Sequence, residues 1–260
     1  MNIIVCIKQV PNVQDIRIHP ETGNLIRQGV PSIINPDDKH AIEAALVLNE
    51  KYSGEVAVIT MGPRQAEEAL RETFAMGVQK GILLSDKAFG GADTLATSYA
   101  LHKAIQKIGD YDLILCGRQA MDSNTAQVPP QIAELLGIPQ LTSVKEIDID
   151  GGTVRVKREI ENGYEVLKAK MPALVTVMSQ INEPRVASMN AVMEAYEKEI
   201  VVWKATDIDA DIDRIGLKGS PTRIRKAFTP KASKTGEILS GTPEEMVSQL
   251  ITKLLEKHII

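Results

Sequence analysis

The chain has 260 residues, 43% apolar and 25% charged, with a net charge of −4. That length suits one large domain, or one domain with an appendage. The balance excludes a disordered chain and a general polyanion binder. Nine aromatic residues, 3% of the chain, leave a core of Val, Ile, Leu, Ala and Met and argue against a flat ligand stacked between several rings. Cys6 and Cys116 lie in apolar runs without a CxxC, as reduced thiols do in a cytoplasmic protein. The histidines are scattered without metal-ligand spacing. No apolar run approaches the roughly 18 residues of a membrane span. Met1 leads directly into a strand-like run, so neither membrane insertion nor a signal peptide is expected.

In chain order, the first strand candidate is Ile3–Ile7. It is followed by Val56–Thr60, Ile82–Leu84, Leu113–Cys116 and Ala173–Val177. Short continuous apolar runs of this kind suit strands covered on both faces. Helical patterns fill the gaps. Asp37–Lys51 follows Asn35 as N-cap and Pro36 at the first helical position. Arg64–Met76 is closed by Gly77, and Asp93 caps a helix through Ile108. Asn124 or Thr125 opens another, running to Leu136 and closed by Gly137. Strand alternating with helix predicts an α/β fold with a doubly wound, mostly parallel sheet.

Residues 144–170 break the rhythm. Apolar and charged residues alternate there, and Gly151-Gly152 and Asn162-Gly163 sit at turn positions, which predicts a small antiparallel hairpin extension. A shorter hairpin is expected over Ile16–Ile26, turning at His19–Gly23. Past residue 200 the texture changes again. Seven basic residues and no acid fall within 214–236, and Thr242-Pro243-Glu244-Glu245 then starts a helix with Met246, Leu250, Ile251, Leu254 and Leu255 on one stripe. The division expected is an α/β domain over 1–200 and a C-terminal arm over 201–260 laid on a partner, the plainer reading being a solvated tail docked back on its own domain. Nucleic acid is not the expected partner, because residues 1–200 are acidic and no aromatics interleave the basic residues.

Ligands of open α/β sheets bind beyond the carboxyl ends of the strands. The richest such end is Gly117-Arg118-Gln119-Ala120-Met121-Asp122-Ser123-Asn124-Thr125-Ala126-Gln127-Val128, which joins a glycine and short polar side chains to a helix start. Free amides at a helix start attract phosphate, and Arg118 adds positive charge. Asn35-Pro36-Asp37-Asp38, Cys6 and Met61 lie at other strand and helix ends that could border the same cleft. Neither G-x-G-x-x-G nor G-x-x-x-x-G-K-[ST] occurs, and no nucleophile elbow or Ser/His/Asp order is present. Gly90–Thr94 only faintly echoes the pyrophosphate loop of adenylating enzymes. With no catalytic apparatus in view, a bound cofactor would carry the chemistry.

Five segments, in order, resemble the small (beta) subunit of electron-transfer flavoproteins over essentially the full length. They are Val5–Pro11, Asn35–Asp38, Met61–Pro63, Gly117–Asp122 and Asn182-Glu183-Pro184-Arg185-Val186-Ala187-Ser188-Met189-Asn190-Ala191-Val192-Met193. The resemblance implies a heterodimer with a larger alpha subunit around which the arm wraps. It implies an adenine nucleotide held by Cys6, Asn35 to Asp38, Met61 and Gly117 to Val128. Conventional members hold AMP there; the electron-bifurcating branch holds FAD, reduced by NADH. Thr125-Ala126-Gln127-Val128 resembles the bifurcating branch, while Pro129-Pro130 departs from the glycine-containing form of the loop. Electrons would then divide between ferredoxin or flavodoxin and, through a large-subunit FAD, an acyl-CoA dehydrogenase or a related dehydrogenase. The segment around Met189, with Glu183, Pro184 and Arg185, would bind that dehydrogenase, Met189 serving as apolar anchor. The plainer reading of Met189 is a buried residue at a helix start capped by Ser188 or Asn190. A nucleotide-sensing module akin to universal stress proteins is the alternative from another class.

Overall fold

The computed structural model describes residues 1–12, 31–222 and 236–260, together with the backbone of 17–18 and 25–26. The chain forms two compact units, Met1–Arg225 and Lys226–Ile260. In the first, the strands are β1 (Ile3–Ile7), β2 (Gln9–Pro11), β3 (Arg17–Ile18), β4 (Leu25–Ile26), β5 (Ser32–Ile34), β6 (Val56–Met61), β7 (Lys80–Leu84), β8 (Leu113–Gly117), β9 (Gln140–Asp150), β10 (Thr153–Ile160), β11 (Gly163–Lys170), β12 (Ala173–Val177) and β13 (Ile200–Trp203). The helices are α1 (Pro36–Tyr52), α2 (Glu67–Met76), α3 (Thr94–Ile108), α4 (Val128–Leu136) and α5 (Met189–Glu197).

Nine strands make one sheet in the order β11-β10-β9-β12-β8-β1-β6-β7-β13. Every neighbouring pair from β9 to β13 is parallel, and β9-β10-β11 is antiparallel. The sheet is therefore doubly wound, with the hairpin extension at one edge. Every residue of β1 and β12 is buried, because side chains alternate between two cores. Ile3, Val5 and Ile7 pack with α1 and α2 on one face; Ile4 and Cys6 pack with α3 and α4 on the other. From β1 the chain winds outward through β6 and β7, and α3 then carries it back to β8 on the opposite side of β1. The direction of winding reverses between β1 and β8, which is where a crevice opens at the carboxyl ends of such a sheet.

Two expectations are revised. The helix expected to open at Asn124 or Thr125 begins at Val128. Asn124 and Ala126 both have φ of 52°, a left-handed backbone that no helix admits. The sheet does not stop near residue 200: β13 completes its edge, and Ser220 Oγ accepts from the Asp93 amide at 2.8 Å, so residues 201–222 belong with the body. The glycines of Gly90–Thr94 serve packing: Gly91 (φ 74°) lies against Leu217, and the Gly90 carbonyl accepts from Leu217 N–H. Asp93 meanwhile caps α3 through the amides of Leu95 and Ala96. β3 and β4 pair antiparallel as the short hairpin requires, but its turn, like the basic residues from Arg223 to Lys234, lies outside the described residues.

The second unit contains α6 (Pro243–Glu256). Thr242 and Glu245 form a complete capping box, each side chain bonding the other's backbone amide, as the sequence signal specifies. Val247, Leu250, Ile251 and Leu255 remain about half exposed along one side.

Candidate functional site

The place where a sheet of this kind opens a crevice is the carboxyl end of β1 and β8, beside the start of α1. Asp38, in the first turn of α1, is buried, and its carboxylate accepts from the Lys8 amide at 2.8 Å and the Gly117 amide at 3.0 Å. One side chain thus ties together the two strands at which the winding reverses. Burial pushes the Asp38 carboxyl up to about 7, although both amides and Asn35 pull it down. Gly117 is needed for space: a Cβ there would lie 2.3 Å from an Asp38 carboxylate oxygen and 2.7 Å from the Asp37 backbone. The close approach anticipated for a ligand is made by the start of α1.

Asn35 caps nothing in its own helix. Its amide instead donates to the Gln119 carbonyl at 2.9 Å and accepts from Met121 N–H at 2.9 Å, fixing the first half of the loop after β8. Lys8, which the sequence reading passed over, places its Nζ 2.7 Å from both carboxylate oxygens of Asp122. Its position one residue past β1 was the available signal. Asp37, Asp38, Asn35 and Asp122 therefore shape the crevice. Cys6 faces Cys116 across the β1–β8 ladder, and the neighbouring thiol together with burial holds the Cys116 thiol well above its ordinary range. These are packed, inert thiols.

Past Asp122 the loop opens. Ser123 to Gln127 are exposed, and among the described residues the amides of Thr125, Ala126 and Gln127 have no acceptor. Ala126 is left-handed and Gln127 has right-handed helical φ and ψ. An alanine held at positive φ costs about 1 kcal/mol, the kind of local strain that persists where the surroundings impose it. Among the described residues the Arg118 guanidinium has no hydrogen bond or ion pair. Met61 and Val128 are half-buried against the core on the α3–α4 face. The structure thus gathers the predicted residues at one sheet edge but divides them by task. The inner ones build the frame, and residues 123–127 are exposed beside the half-buried Arg118.

The segment after β12 lies apart, against α1 and α2. Met189, the first residue of α5, is 77% exposed, which rules out the buried reading; Ser188 caps the helix by accepting from Ala191 N–H at 3.2 Å. Val186, Met193 and Tyr196 are exposed beside it. Pro184 is half-buried and Glu183 is exposed. Arg185 turns inward, with Nε and Nη2 each 2.9 Å from a carboxylate oxygen of Glu43 and Nη1 2.7 Å from Glu50.

The fold is a doubly wound α/β domain whose winding reverses between β1 and β8. Comparison with known proteins specifies the family. The electron transfer flavoprotein domain matches residues 22–208. Electron transfer flavoprotein subunit beta of Clostridium acetobutylicum is 49% identical over 260 residues, covering all of both chains. The caffeyl-CoA reductase-Etf complex subunit CarD of Acetobacterium woodii is 48% identical over 262 residues. Acryloyl-CoA reductase electron transfer subunit gamma of Anaerotignum propionicum is 45% identical over 268 residues. Both cover the whole of each chain. The chain belongs to the electron transfer flavoprotein family, and it is similar from end to end to that family's beta subunits. No helix among the described residues is long and apolar enough to cross a membrane.

Proposed function

We propose that this chain is the small subunit of a bifurcating electron-transfer flavoprotein, with FAD in the crevice between β1 and β8 and NADH as its reductant. The observation that carries the reading is the run of three exposed amides at 125–127 with no acceptor among the described residues, in the same loop as the unpaired Arg118 guanidinium. Those residues fit an anionic nucleotide: the amides and Arg118 hold its phosphates, and Met61 and Val128 offer aliphatic contact in place of aromatic rings. Bound flavin supplies the redox chemistry, accepting a hydride and releasing electrons singly. The protein's own part is positioning. Asp38 fixes the crevice width, Asn35 and the Lys8–Asp122 pair fix the loop, and no acid or base of the chain is assigned a proton transfer.

In this reading the large subunit receives the arm, and electrons leave both to ferredoxin or flavodoxin and, through the large-subunit FAD, to an acyl-CoA dehydrogenase. Two relatives named for CoA-thioester reductases support an acyl-CoA-type acceptor. The exposed Met189, Met193 and Tyr196 suit a small apolar docking patch on that path, as fast-exchanging electron-transfer complexes require. Family membership argues against the stand-alone nucleotide sensor. Arg118→Ala in the heterodimer tests the site. Losing one charge-assisted contact should weaken nucleotide retention about 10–100-fold, measured as nucleotide co-eluting on gel filtration. Retention equal to the parent protein would remove Arg118 and its loop from the binding site.

A further inference from the structure

We propose that Arg185 is a positioning residue that fastens the docking segment to α1 from inside, and that it does not itself touch the partner. The inference rests on the docking role proposed above for the segment around Met189. Glu43 lies on α1 with its side chain only 8% exposed, and it receives three bonds from Arg185: Nε and Nη2 at 2.9 Å and the backbone amide at 3.0 Å. Glu50, two turns further along α1, takes Nη1 at 2.7 Å. A planar fork engaging one carboxylate with two nitrogens fixes orientation as well as distance, which a lysine could not do. Burial opposes ionisation of Glu43, but the Arg185 contacts outweigh it and hold the carboxyl below its usual range. Beside this clasp, His40 Nδ1 lies 3.0 Å from the Asn182 carbonyl, and the Asn182 amide donates to the His40 carbonyl at 2.9 Å.

The other end of the segment is fastened to α2. Arg71 Nη1 donates to the Ala195 carbonyl at 2.7 Å and also to the Lys198 carbonyl, placing a cation at the C-terminus of α5. Tyr196 OH donates to Glu68 at 3.1 Å. Between the two clasps Val186, Met189 and Met193 are 95%, 77% and 67% exposed. Internal ion pairs with a largely apolar outer surface are what a preorganised docking element needs, because the ordering cost is met before the partner arrives. The same helix α1 holds the crevice through Asn35 and Asp38 and the docking segment through His40, Glu43 and Glu50. The clasp thereby keeps the docking patch in register with the nucleotide site.

The test uses the assembled heterodimer and two readouts. In amide hydrogen exchange, Arg185→Gln and Glu43→Gln should each speed exchange across 186–197 about tenfold, with α3 unchanged. In electron transfer to a purified short-chain acyl-CoA dehydrogenase, both variants should raise KM by a similar factor with little change in kcat. Combining them should add little, because they cut the same link. Arg185→Lys should fall between, and it keeps the test available should Arg185→Gln fold poorly. Met189→Ala is the control for the docking reading. If it raises KM while the Arg185 and Glu43 variants do not, the clasp inference is overturned. A raised KM for Arg185→Gln alone, with Glu43→Gln and exchange unchanged, would make Arg185 a direct partner contact and also overturn it. No effect of Met189→Ala would instead remove the docking role.

Discussion

Asp38 shows how much a residue's surroundings add to its place in the sequence. Asn35-Pro36-Asp37-Asp38 marks it for the crevice, and the structure adds that its carboxylate accepts from the backbone amides at the ends of β1 and β8. A carboxyl raised to about 7 makes the folded state bind more protons than the unfolded chain from about pH 4 up to pH 7. Stability attributable to Asp38 therefore falls as pH rises through that window. Asp38→Asn lacks this dependence. The melting temperature of the parent chain relative to Asp38→Asn should decline between pH 5 and 8; a difference that is flat or grows with pH would contradict the assignment. Arg185 was harder to read. A charged residue in a polar segment is expected in solvent, and its partners Glu43 and Glu50 are 142 and 135 residues away, beyond any local pattern.

Among elements, those whose signal is local were legible. β1 and β12 match their apolar runs end for end; Asp93 and Thr242 open α3 and α6 through their side chains, and Gly77 closes α2 through its left-handed backbone. The start of α4 was not. Asn124 and Thr125 are good cap residues by type, but the Asn35 contacts with Gln119 and Met121 and the left-handed turns at Asn124 and Ala126 carry the chain past them. Pro129 and Pro130 then occupy the first turn, where missing amides cost little. Among the described residues β13 pairs only with β7; it is half-buried and has just four residues, too few to show a period. For α6 the sequence gives the helix, and the structure leaves its apolar stripe half exposed. Burying such a leucine stabilises an interface by roughly 1.5–3 kcal/mol. Leu250→Asp should therefore weaken association with the large subunit at least tenfold on this scale, measured by sedimentation, and should leave melting of the body unchanged. Unaltered association would show that the stripe does not reach the large subunit.

At the scale of the molecule, the described part of the body runs to residue 222, and α1 links the ends of β1 and β8 to the exposed segment around Met189. The scarcity of aromatic residues becomes a property of the site. On the proposed reading a flavin here would be held by phosphate contacts and flanked by aliphatic side chains, with Arg118 and the amides of 125–127 carrying the recognition. The central claim is FAD in this crevice, and nucleotide content tests it most directly. Acid release and chromatography of nucleotides from the purified heterodimer should yield two FAD per heterodimer and no AMP. One FAD with one AMP would contradict the bifurcating reading and make the crevice a structural AMP site.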